Sequence, residues 1–308
     1  MLPRFTLRQL LYFLAIAEAP TLSAAAERLN ISQGALTEAL DELERQLSAT
    51  LFVRRRAQGV TITVIGQALV SHARAVLAAA EELQNVAAGR SDRLAGRVAI
   101  GCYTTLAPFL VPRLVAAFER HHPEVDLVIY DGSGEDVSAR LRDGQCDLAL
   151  LYDYNLTADT AWDLLYSATA RVVLPASHTL ATDKDVALGD LASEPLIEFE
   201  VEPALSNTRR IFRELGIVPR LGRRARSIEL VRALVGHGLG YAILLHHPPG
   251  NLTYEGLPLT VREIRGLASG SDVVLARSGA IRVSERDEAL RGFCLASLRD
   301  ETGRPLPP

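Results

Sequence analysis

Three consecutive arginines, Arg54, Arg55 and Arg56, are the longest uninterrupted run of basic residues in the sequence. Guanidinium groups donate paired hydrogen bonds to phosphate oxygens, so such a run could grip a nucleic-acid backbone or enter a minor groove. A run of like charges is also common on any solvated surface. The elements around the run must decide between these two interpretations.

Two threonines in the middle of the chain could bind a different kind of molecule. Thr104 and Thr105 follow a predicted strand over 98–102 and precede a predicted helix. Their hydroxyls, together with the free backbone N–H groups of a helix start, suit an anionic or polar ligand. The alternative is that the two threonines only cap the helix.

The sequence offers no constellation for catalysis or for a metal. Cys102, Cys146 and Cys294 are odd in number, far apart and without a CxxC pair, which predicts small buried thiols rather than a disulfide framework or a zinc site. The histidine pairs at 121–122 and 246–247 are adjacent, so they do not converge on one metal face. No GxSxG turn indicates a hydrolytic nucleophile. We predict no catalytic residue, no metal and no cofactor.

The arginine run follows three predicted helices. Leucines at helical spacing predict a helix over 6–19, which Pro20 ends. A short alanine-rich helix over 22–29 and a third helix over 32–47, capped by Ser32, follow. Two helices joined by so short a turn are typical of a helix-turn-helix.

Short β-prone segments at 51–53 and 60–62 flank the arginines and predict a hairpin that carries them at its tip. A hairpin in this position is a wing, which favours the DNA-binding interpretation of the arginines, with the third helix as the recognition helix. The predicted DNA-binding residues are Ser23, Ser32, Gln33, Ala35, Leu36, Thr37, Arg54, Arg55 and Arg56.

A long helix is predicted over 64–88. Its apolar residues repeat at alternating spacings of four and three, the pattern of a coiled-coil seam. We predict that this seam pairs with a second copy of the chain; the alternative is that the helix packs on its own domain. The predicted dimerisation residues are Leu69, Ala73, Val76, Ala80 and Leu83.

After a polar, glycine-bounded hinge at 89–96, apolar strands alternate with helices. The predicted strands lie at 98–102, 125–130, 148–151, 172–174, 196–199, 241–245 and 273–276. The predicted helices between them lie at 110–120, 137–142, 207–215 and 228–237. This alternation predicts parallel sheets covered by helices.

Composition fits a soluble protein of two domains. The chain has 308 residues, of which 48% are hydrophobic and 23% charged. Its formal net charge of −4 averages over domains and does not exclude a local basic face for DNA. We see no signal peptide and no apolar run long enough for a bilayer, so we expect a cytoplasmic protein that does not contact the membrane.

Several linked segments share the pattern of one family. In the first part of the chain they are 7–13, 24–29, 31–33, 43–44 and 51–52, followed by the arginines and by Thr63 three residues before Gly66. In the remainder they are 108–112, 144–150, 227–229 and 238–240. Over essentially its whole length, the sequence therefore resembles a LysR-type transcriptional regulator.

The resemblance implies an α/β protein with an N-terminal winged helix-turn-helix (1–63), a long linker and dimerisation helix (64–90) and an effector-binding domain (91–308). That domain would have two α/β subdomains and resemble periplasmic solute-binding proteins. Subdomain I would comprise about 96–167 and 264–308, and subdomain II about 168–263.

The resemblance also implies the partners. These are double-stranded promoter DNA, a small-molecule effector bound between the subdomains, other copies of the chain in a tetramer built as a dimer of dimers, and RNA polymerase as a further candidate. A peroxide-sensing relative would need a reactive cysteine pair in 168–263. That segment contains no cysteine, so we do not expect redox sensing.

The resemblance places ligand contacts at the turn with the two threonines, opposite a second helix that opens near Pro203, with a strand end at the rim. The predicted effector-binding residues are Thr104, Thr105, Tyr152, Asp153, Glu202, Pro203 and Ser206. The helix start and the threonine hydroxyls suggest a polar or anionic effector. The carboxylates of Asp153, Glu200 and Glu202 suggest that it carries an amino or amide group. The alternative is that these carboxylates simply face solvent.

The predicted recognition helix departs from the family pattern. Gly34 stands where the family often has proline, and Glu38, Asp41 and Glu42 stand where basic residues are frequent. We expect these carboxylates to point mostly away from DNA; the alternative is that they accept hydrogen bonds from cytosine amino groups.

Two other classes of protein remain open. One is a solute-binding transport component, and the other is an enzyme that acts on a bound metabolite. Both leave roughly the first 90 residues without a role. The missing export signal argues against the first, and the missing nucleophile and base argue against the second.

Overall fold

The computed structural model of the protein describes residues 4–55, 59–87, 94, 96–248, 250–267, 270–279 and 285–298. The chain begins with three helices and a hairpin, in the order that the sequence predicts. The elements are α1 (Leu7–Glu18), α2 (Leu22–Arg28), α3 (Gln33–Leu47), β1 (Phe52–Arg55) and β2 (Gly59–Ile62). We call α1 to β2 the N-terminal unit.

Each helix of the N-terminal unit begins at a hydroxyl residue that caps it. Thr6 forms a capping box with Gln9 at the start of α1, and Thr21 accepts a backbone N–H at the start of α2. Ser32 does the same for α3, as its sequence position predicts. A cap of this kind contributes about 1 kcal/mol to helix stability.

The long helix α4 (Val64–Ala87) starts against the hairpin. The Thr63 hydroxyl donates to the carbonyl oxygen of Thr50 over 2.8 Å and accepts the N–H of Gly66 over 2.9 Å. A Cβ at Gly66 would lie 2.3 Å from the carbonyl oxygen of Leu51, so a larger residue does not fit. The spacing of Thr63 and Gly66 therefore fixes how α4 leaves the N-terminal unit.

The first half of α4 packs on its own N-terminal unit. Ala73 is 5% exposed and belongs to that unit's core, and Leu69 is half-buried against the same core. The prediction that Ala73 faces a second copy is wrong, because α4 lies against α1 there. Further along α4, Ala80 is half-buried, whereas Val76 and Leu83 are 41% and 72% exposed.

One side chain of α4 contacts structure on both sides. The Arg74 guanidinium pairs with the Glu18 carboxylate of α1 over 2.6 Å and also donates to the carbonyl oxygen of Asp143. Gly144, with φ +64, lies beside the same side chain. Arg74 therefore joins the N-terminal unit to the remainder of the chain.

The remainder of the chain is α/β. Its elements are β3 (Gly96–Tyr103), α5 (Ala107–His121), β4 (Val125–Gly132), α6 (Gly134–Arg142), β5 (Leu148–Tyr152), β6 (Thr160–Ala168), β7 (Arg171–Pro175), β8 (Asp185–Val186), β9 (Pro195–Phe199), α7 (Ala204–Glu214), β10 (Arg220–Ala225), α8 (Ile228–Gly236), β11 (Ala242–Leu244), β12 (Leu259–Ile264), β13 (Ser271–Ser278) and α9 (Glu285–Ser297).

These strands form two main sheets. The first sheet has the order β4-β3-β5-β13-β6, in which β3 is parallel to β4 and β5, and β13 is antiparallel to β5 and β6. The second has the order β11-β7-β12-β8, with β7 antiparallel to both its neighbours. A parallel pair, β9 and β10, is joined beside β11 through a bridge between Leu196 and Tyr241.

The sheets are mixed, so the prediction of parallel sheets is confirmed for β3 with β4 and β5 and for β9 with β10, but it is wrong for the pairs of β7 and β13, which are antiparallel. The reason is that the chain crosses between the sheets at successive strands. It passes from β6 in the first sheet directly to β7 in the second, and it returns from β12 to β13. The two sheets are therefore joined by two crossings, and the space between them is the candidate ligand cleft.

Candidate DNA-binding and ligand-binding sites

The start of α3 presents a small polar surface. The Ser32 hydroxyl accepts the N–H of Ala35 over 3.1 Å, and the Ser23 hydroxyl of α2 donates to Gln33 Oε1 over 3.1 Å. These four residues are exposed, and Thr37 is half-buried beside them. The hydrogen bond from α2 orients the Gln33 amide, so its Nε2 donors are free to contact another molecule.

Leu36 does not belong to that surface. Its side chain is fully buried in the core of the N-terminal unit with Leu40 and Leu43. The prediction that Leu36 contacts DNA is wrong, because residues four and seven positions apart lie on one helix face and that face packs inward.

Two of the acidic residues of α3 are held by the protein. Glu42 accepts hydrogen bonds from Arg45 and Gln46, which keep the pKa of its carboxyl below the usual range. Glu44 accepts the backbone N–H groups of Leu51 and Phe52, and so ties α3 to the hairpin.

Glu38 differs from these two residues. It is exposed, one turn beyond Ala35 on the same face of α3. Within the described part of the chain, no side chain or backbone group donates a hydrogen bond to it. Glu38 therefore shares a helix face with Ala35, one of the residues predicted to contact DNA, and the expectation that the acidic residues point mostly away from DNA stays a prediction.

The predicted hairpin is present, and two of its arginines lie in β1. Arg54 and Arg55 pair through their backbones with Val60 and Gly59 of β2. Arg56 lies outside the described residues. The strands thus place the start of the arginine run directly after the helix-turn-helix.

One wall of the cleft comes from the carboxyl ends of β3 and β5. Thr104 is half-buried, and its N–H donates to the carbonyl oxygen of Gly132 over 2.9 Å. Thr105 is 6% exposed, with its hydroxyl 3.5 Å from that of Tyr152. Helix α5 starts later, after Leu106, which makes no side-chain cap. Neither threonine caps this helix, so the capping alternative does not explain them.

The opposite wall is the start of α7. Pro203 is its N-cap residue, and Glu202 Oε2 accepts the N–H of Ser206 over 3.2 Å. Glu202 and Ser206 are exposed, whereas Asn207 and Thr208, which directly follow Ser206, are buried and line the cavity. Sequence reasoning missed these two residues, although polar residues at helical spacing from the apolar Leu205, Ile211 and Phe212 are a usable signal.

A buried hydrogen-bonded triad joins the two sheets at the base of the cleft. His246, just beyond β11, places Nδ1 2.7 Å from the Tyr152 hydroxyl and Nε2 2.9 Å from the Tyr166 hydroxyl. Burial, with a smaller effect of His247, lowers the pKa of His246 to about 4, so the imidazole is neutral at physiological pH. A neutral imidazole donates through one nitrogen and accepts through the other. One tyrosine therefore donates to His246, and the other accepts from it.

The enclosed cavity between the walls is small and neutral. Its polar lining consists of Thr105, Tyr152, Asn207, Thr208 and His246. The described residues that line it include no charged side chain. The space open to a water molecule is about 20 Å³, enough for about one water. A larger ligand requires the walls to separate.

The carboxylates predicted for the cleft have partners in the protein. Asp153 Oδ1 accepts the N–H of Asp272 over 3.2 Å, and Glu200 Oε1 lies 3.4 Å from Arg224. With Glu202 bonded at the start of α7, all three carboxylates accept hydrogen bonds outside the cavity. None of the three is among the described residues that line the cavity.

All three cysteines are buried and free. Burial raises the pKa of Cys146 and of Cys294 to about 12 and raises that of Cys102 further. The thiolate, not the thiol, is the reactive form, so these groups are poor nucleophiles towards peroxide.

None of the helices in the described residues is long and apolar enough to cross a bilayer. Within the same part of the chain, no three His, Cys, Asp or Glu side chains are grouped so that they could hold a metal ion.

Comparison with known proteins gives consistent results for both parts of the chain. Residues 7–67 match the family described as bacterial regulatory helix-turn-helix protein, lysR family, and residues 91–299 match the LysR substrate binding domain. The chain is 29% identical to the uncharacterized HTH-type transcriptional regulator YvbU of Bacillus subtilis, over 82% of this chain and 84% of that protein.

Two further proteins are similar. A probable hydrogen peroxide-inducible genes activator of Mycobacterium leprae is 30% identical over 78% of this chain and 77% of its own length. Among solved structures, the LysR family transcriptional regulator HinK of Pseudomonas aeruginosa is 30% identical and superposes with a TM-score of 0.63, covering 94% of this chain and 97% of HinK.

Proposed function

The chain belongs to the LysR family of transcriptional regulators, and from this premise we propose that it reads promoter DNA through the start of α3 and the arginine hairpin, and a polar effector through the cleft. Its relatives are regulators that combine a helix-turn-helix DNA-binding domain with an effector-binding domain, and they are not enzymes. The domain limits that we propose are 1–63, 64–90 and 91–308.

The observation that carries the DNA-binding proposal is the exposed surface of Ser23, Ser32, Gln33 and Ala35. A recognition helix contacts base edges with residues of its first turns. The side-chain bond from Ser23 supports this role because it reduces the entropy that Gln33 loses on binding. We propose that Gln33 contacts a base and that the three arginines contact phosphates.

The test is gel-shift titration of the full chain with DNA from upstream of its own gene, over a range of salt concentrations. Replacing Arg54, Arg55 and Arg56 together by alanine should weaken binding to all sequences and reduce the salt slope by up to about three, since each phosphate contact contributes about 0.9. Gln33→Ala is the matched control, and it should alter base preference without altering the slope. An unchanged salt slope in the arginine variant would refute the phosphate role.

We propose that the effector presents a hydroxyl, amide or carboxylate group to the buried end of the cleft. The polar groups there are three hydroxyls, one amide and one neutral imidazole, which can hydrogen-bond such a group. The start of α7 lines the same space, and the dipole at a helix start favours a negative group. An ammonium group would be desolvated there without a carboxylate partner and beside the positive end of that dipole, which is costly. This composition favours a polar effector over an amine.

Thermal-shift screening of amines, amides, polyols and simple carboxylic acids against the full chain tests the effector proposal. Amides, polyols or carboxylic acids should raise the unfolding temperature, and Asn207→Leu should abolish that shift while DNA binding persists. Stabilisation by amines alone would reject the proposal.

We further propose a homotetramer built as a dimer of dimers. Its dimers would pair through the exposed side of α4 at Val76, Ala80 and Leu83. Movement of the two sheets on effector binding would then change the arrangement of the dimers and of the N-terminal units on DNA. RNA polymerase remains a candidate partner of the assembled regulator.

A further inference from the structure

Glu38 is an acidic residue on α3, the helix that we propose contacts DNA. The α3 helix carries four carboxylates, at Glu38, Asp41, Glu42 and Glu44. Glu42 and Glu44 are bound by groups of the protein, and Asp41 also has an interaction. Among the described residues, no group donates a hydrogen bond to the exposed Glu38 carboxylate.

The position of Glu38 on the helix decides which molecule it can meet. Leu36, Leu40 and Leu43 define the inward face of α3. Glu38 lies close to the opposite face, three residues after Ala35 and four after Gly34. It also lines an open groove with Gln9 at the start of α1. When the first turns of α3 contact bases, Glu38 occupies the next turn on the same side.

A free carboxylate at this place has a direct energetic consequence. Facing phosphates, it would weaken binding to every DNA sequence by charge repulsion. Facing base edges in the major groove, it can only accept hydrogen bonds. Binding is retained only where a base donor meets it.

Cytosine is the base that fits an acceptor best. Guanine presents N7 and O6 acceptors in the major groove and thymine presents O4, so both repel a carboxylate. Adenine offers its N6 donor beside the N7 acceptor, whereas cytosine offers the N4 amino group. We infer that Glu38 is a specificity-determining residue that accepts a hydrogen bond from the N4 amino group of a cytosine in each half-site.

This inference rests on the proposed DNA-binding mode, and its test separates the two. Full-length protein is used to select binding sequences from a randomised duplex library, and the selected sequences are compared for wild type, Glu38→Ala and Glu38→Gln. Glu81→Ala and Glu81→Gln, made at an exposed glutamate of α4, are matched controls with the same change of charge. Thermal unfolding confirms that each variant is folded.

Wild type should prefer cytosine about tenfold over the other bases at one position of each half-site. Glu38→Ala should lose that preference while binding other sequences at least as tightly as wild type. Glu38→Gln should shift the preference towards adenine, because an amide pairs with adenine N6 and N7. The Glu81 variants should keep the wild-type profile.

One result would overturn the inference about Glu38, and a different result would overturn the proposed DNA-binding function. If Glu38→Ala tightens binding to all sequences equally and leaves the profile unchanged, the carboxylate only repels phosphates and the inference is overturned. If wild type enriches no sequence and its binding does not fall with salt, the proposed function itself fails.

Discussion

His246 makes two polar contacts between the two sheets. It contributes no charge, since burial keeps its imidazole neutral, and both its nitrogens are used by tyrosine hydroxyls of the opposite sheet. An unmade hydrogen bond in such a place costs about 1–3 kcal/mol, so the triad disfavours arrangements in which the sheets slide apart. It therefore determines the geometry of the cleft floor.

The triad predicts a specific loss of stability in acid. The pKa of His246 is about 4 in the folded chain and near 6.5 when exposed by unfolding. Because the folded pKa is the lower one, stability is complete above pH 6.5 and falls as the pH drops from 6.5 to 4, where the unfolded chain binds the extra proton. The loss amounts to about 3 kcal/mol. Urea unfolding at several pH values measures it.

A matched pair of variants isolates this contribution. His246→Phe should be less stable than wild type at pH 7 and should show a flatter decline between pH 6.5 and 4. His237→Gln, at an exposed histidine, should keep the wild-type decline. An equal decline in His246→Phe and wild type would show that other groups cause the acid sensitivity.

The environment of some single residues can be predicted from the sequence, and that of others cannot. Leu36 shares a helical face with Leu40 and Leu43, so the spacing of the leucines already predicts that Leu36 is buried. The prediction that it contacts DNA came only from its closeness to Gln33 in the sequence. The contacts of His246 with Tyr152 and Tyr166 span 94 and 80 residues. Because no local pattern encodes contacts at such separation, the triad required the folded chain.

Among the elements, α4 serves two purposes along its length. Its first half completes the core of the N-terminal unit through Ala73, and its second half exposes Val76 and Leu83. A heptad-like repeat cannot separate these purposes, because an apolar stripe is required for packing within a chain and between chains alike.

Substitutions in the two halves of α4 should therefore act differently. Leu83→Asp should shift the protein to smaller species in size-exclusion chromatography with light scattering, without changing its unfolding temperature by more than a few degrees. Ala73→Asp should instead destabilise the N-terminal unit by several kcal/mol, since it buries a charge. A tetramer that survives Leu83→Asp would place the self-association surface elsewhere.

Strands with an apolar pattern were predictable and charged or edge strands were not. The fully buried β5 reads as a continuous apolar run, whereas β10 is exposed at five of its six positions and carries three arginines. The sequence alternation also could not reveal the antiparallel pairs of β7, because they arise from where the chain crosses between sheets. Helix α9 was likewise not predicted.

At the scale of the whole molecule, Arg74 is the contact that links the N-terminal unit to the effector-binding part. It bonds Glu18 on one side and the Asp143 carbonyl on the other. Coupling between two sites requires a contact whose free energy differs between the states that the ligands favour. The position of Arg74 makes it a candidate for such a contact.

We predict that Arg74→Ala still binds DNA. A compound from the thermal-shift screen should, however, change the DNA affinity of this variant by a factor several-fold smaller than in wild type. Arg28→Ala is the control, because Arg28 also pairs with Glu18, over 3.1 Å, but belongs to α2 within the N-terminal unit. Fluorescence anisotropy with and without the compound measures both. Equal responses of Arg74→Ala and wild type would contradict this role.

The cavity in the cleft offers a water molecule only about 20 Å³, and this small volume has a kinetic consequence for the regulator. If a metabolite enters only after a spontaneous opening of the cleft, its association rate should level off at high concentration at the rate of that opening. The free energy spent on opening is subtracted from the intrinsic affinity. Substitutions that hold the walls apart would then make the regulator respond to lower metabolite concentrations, without adding any contact to the metabolite.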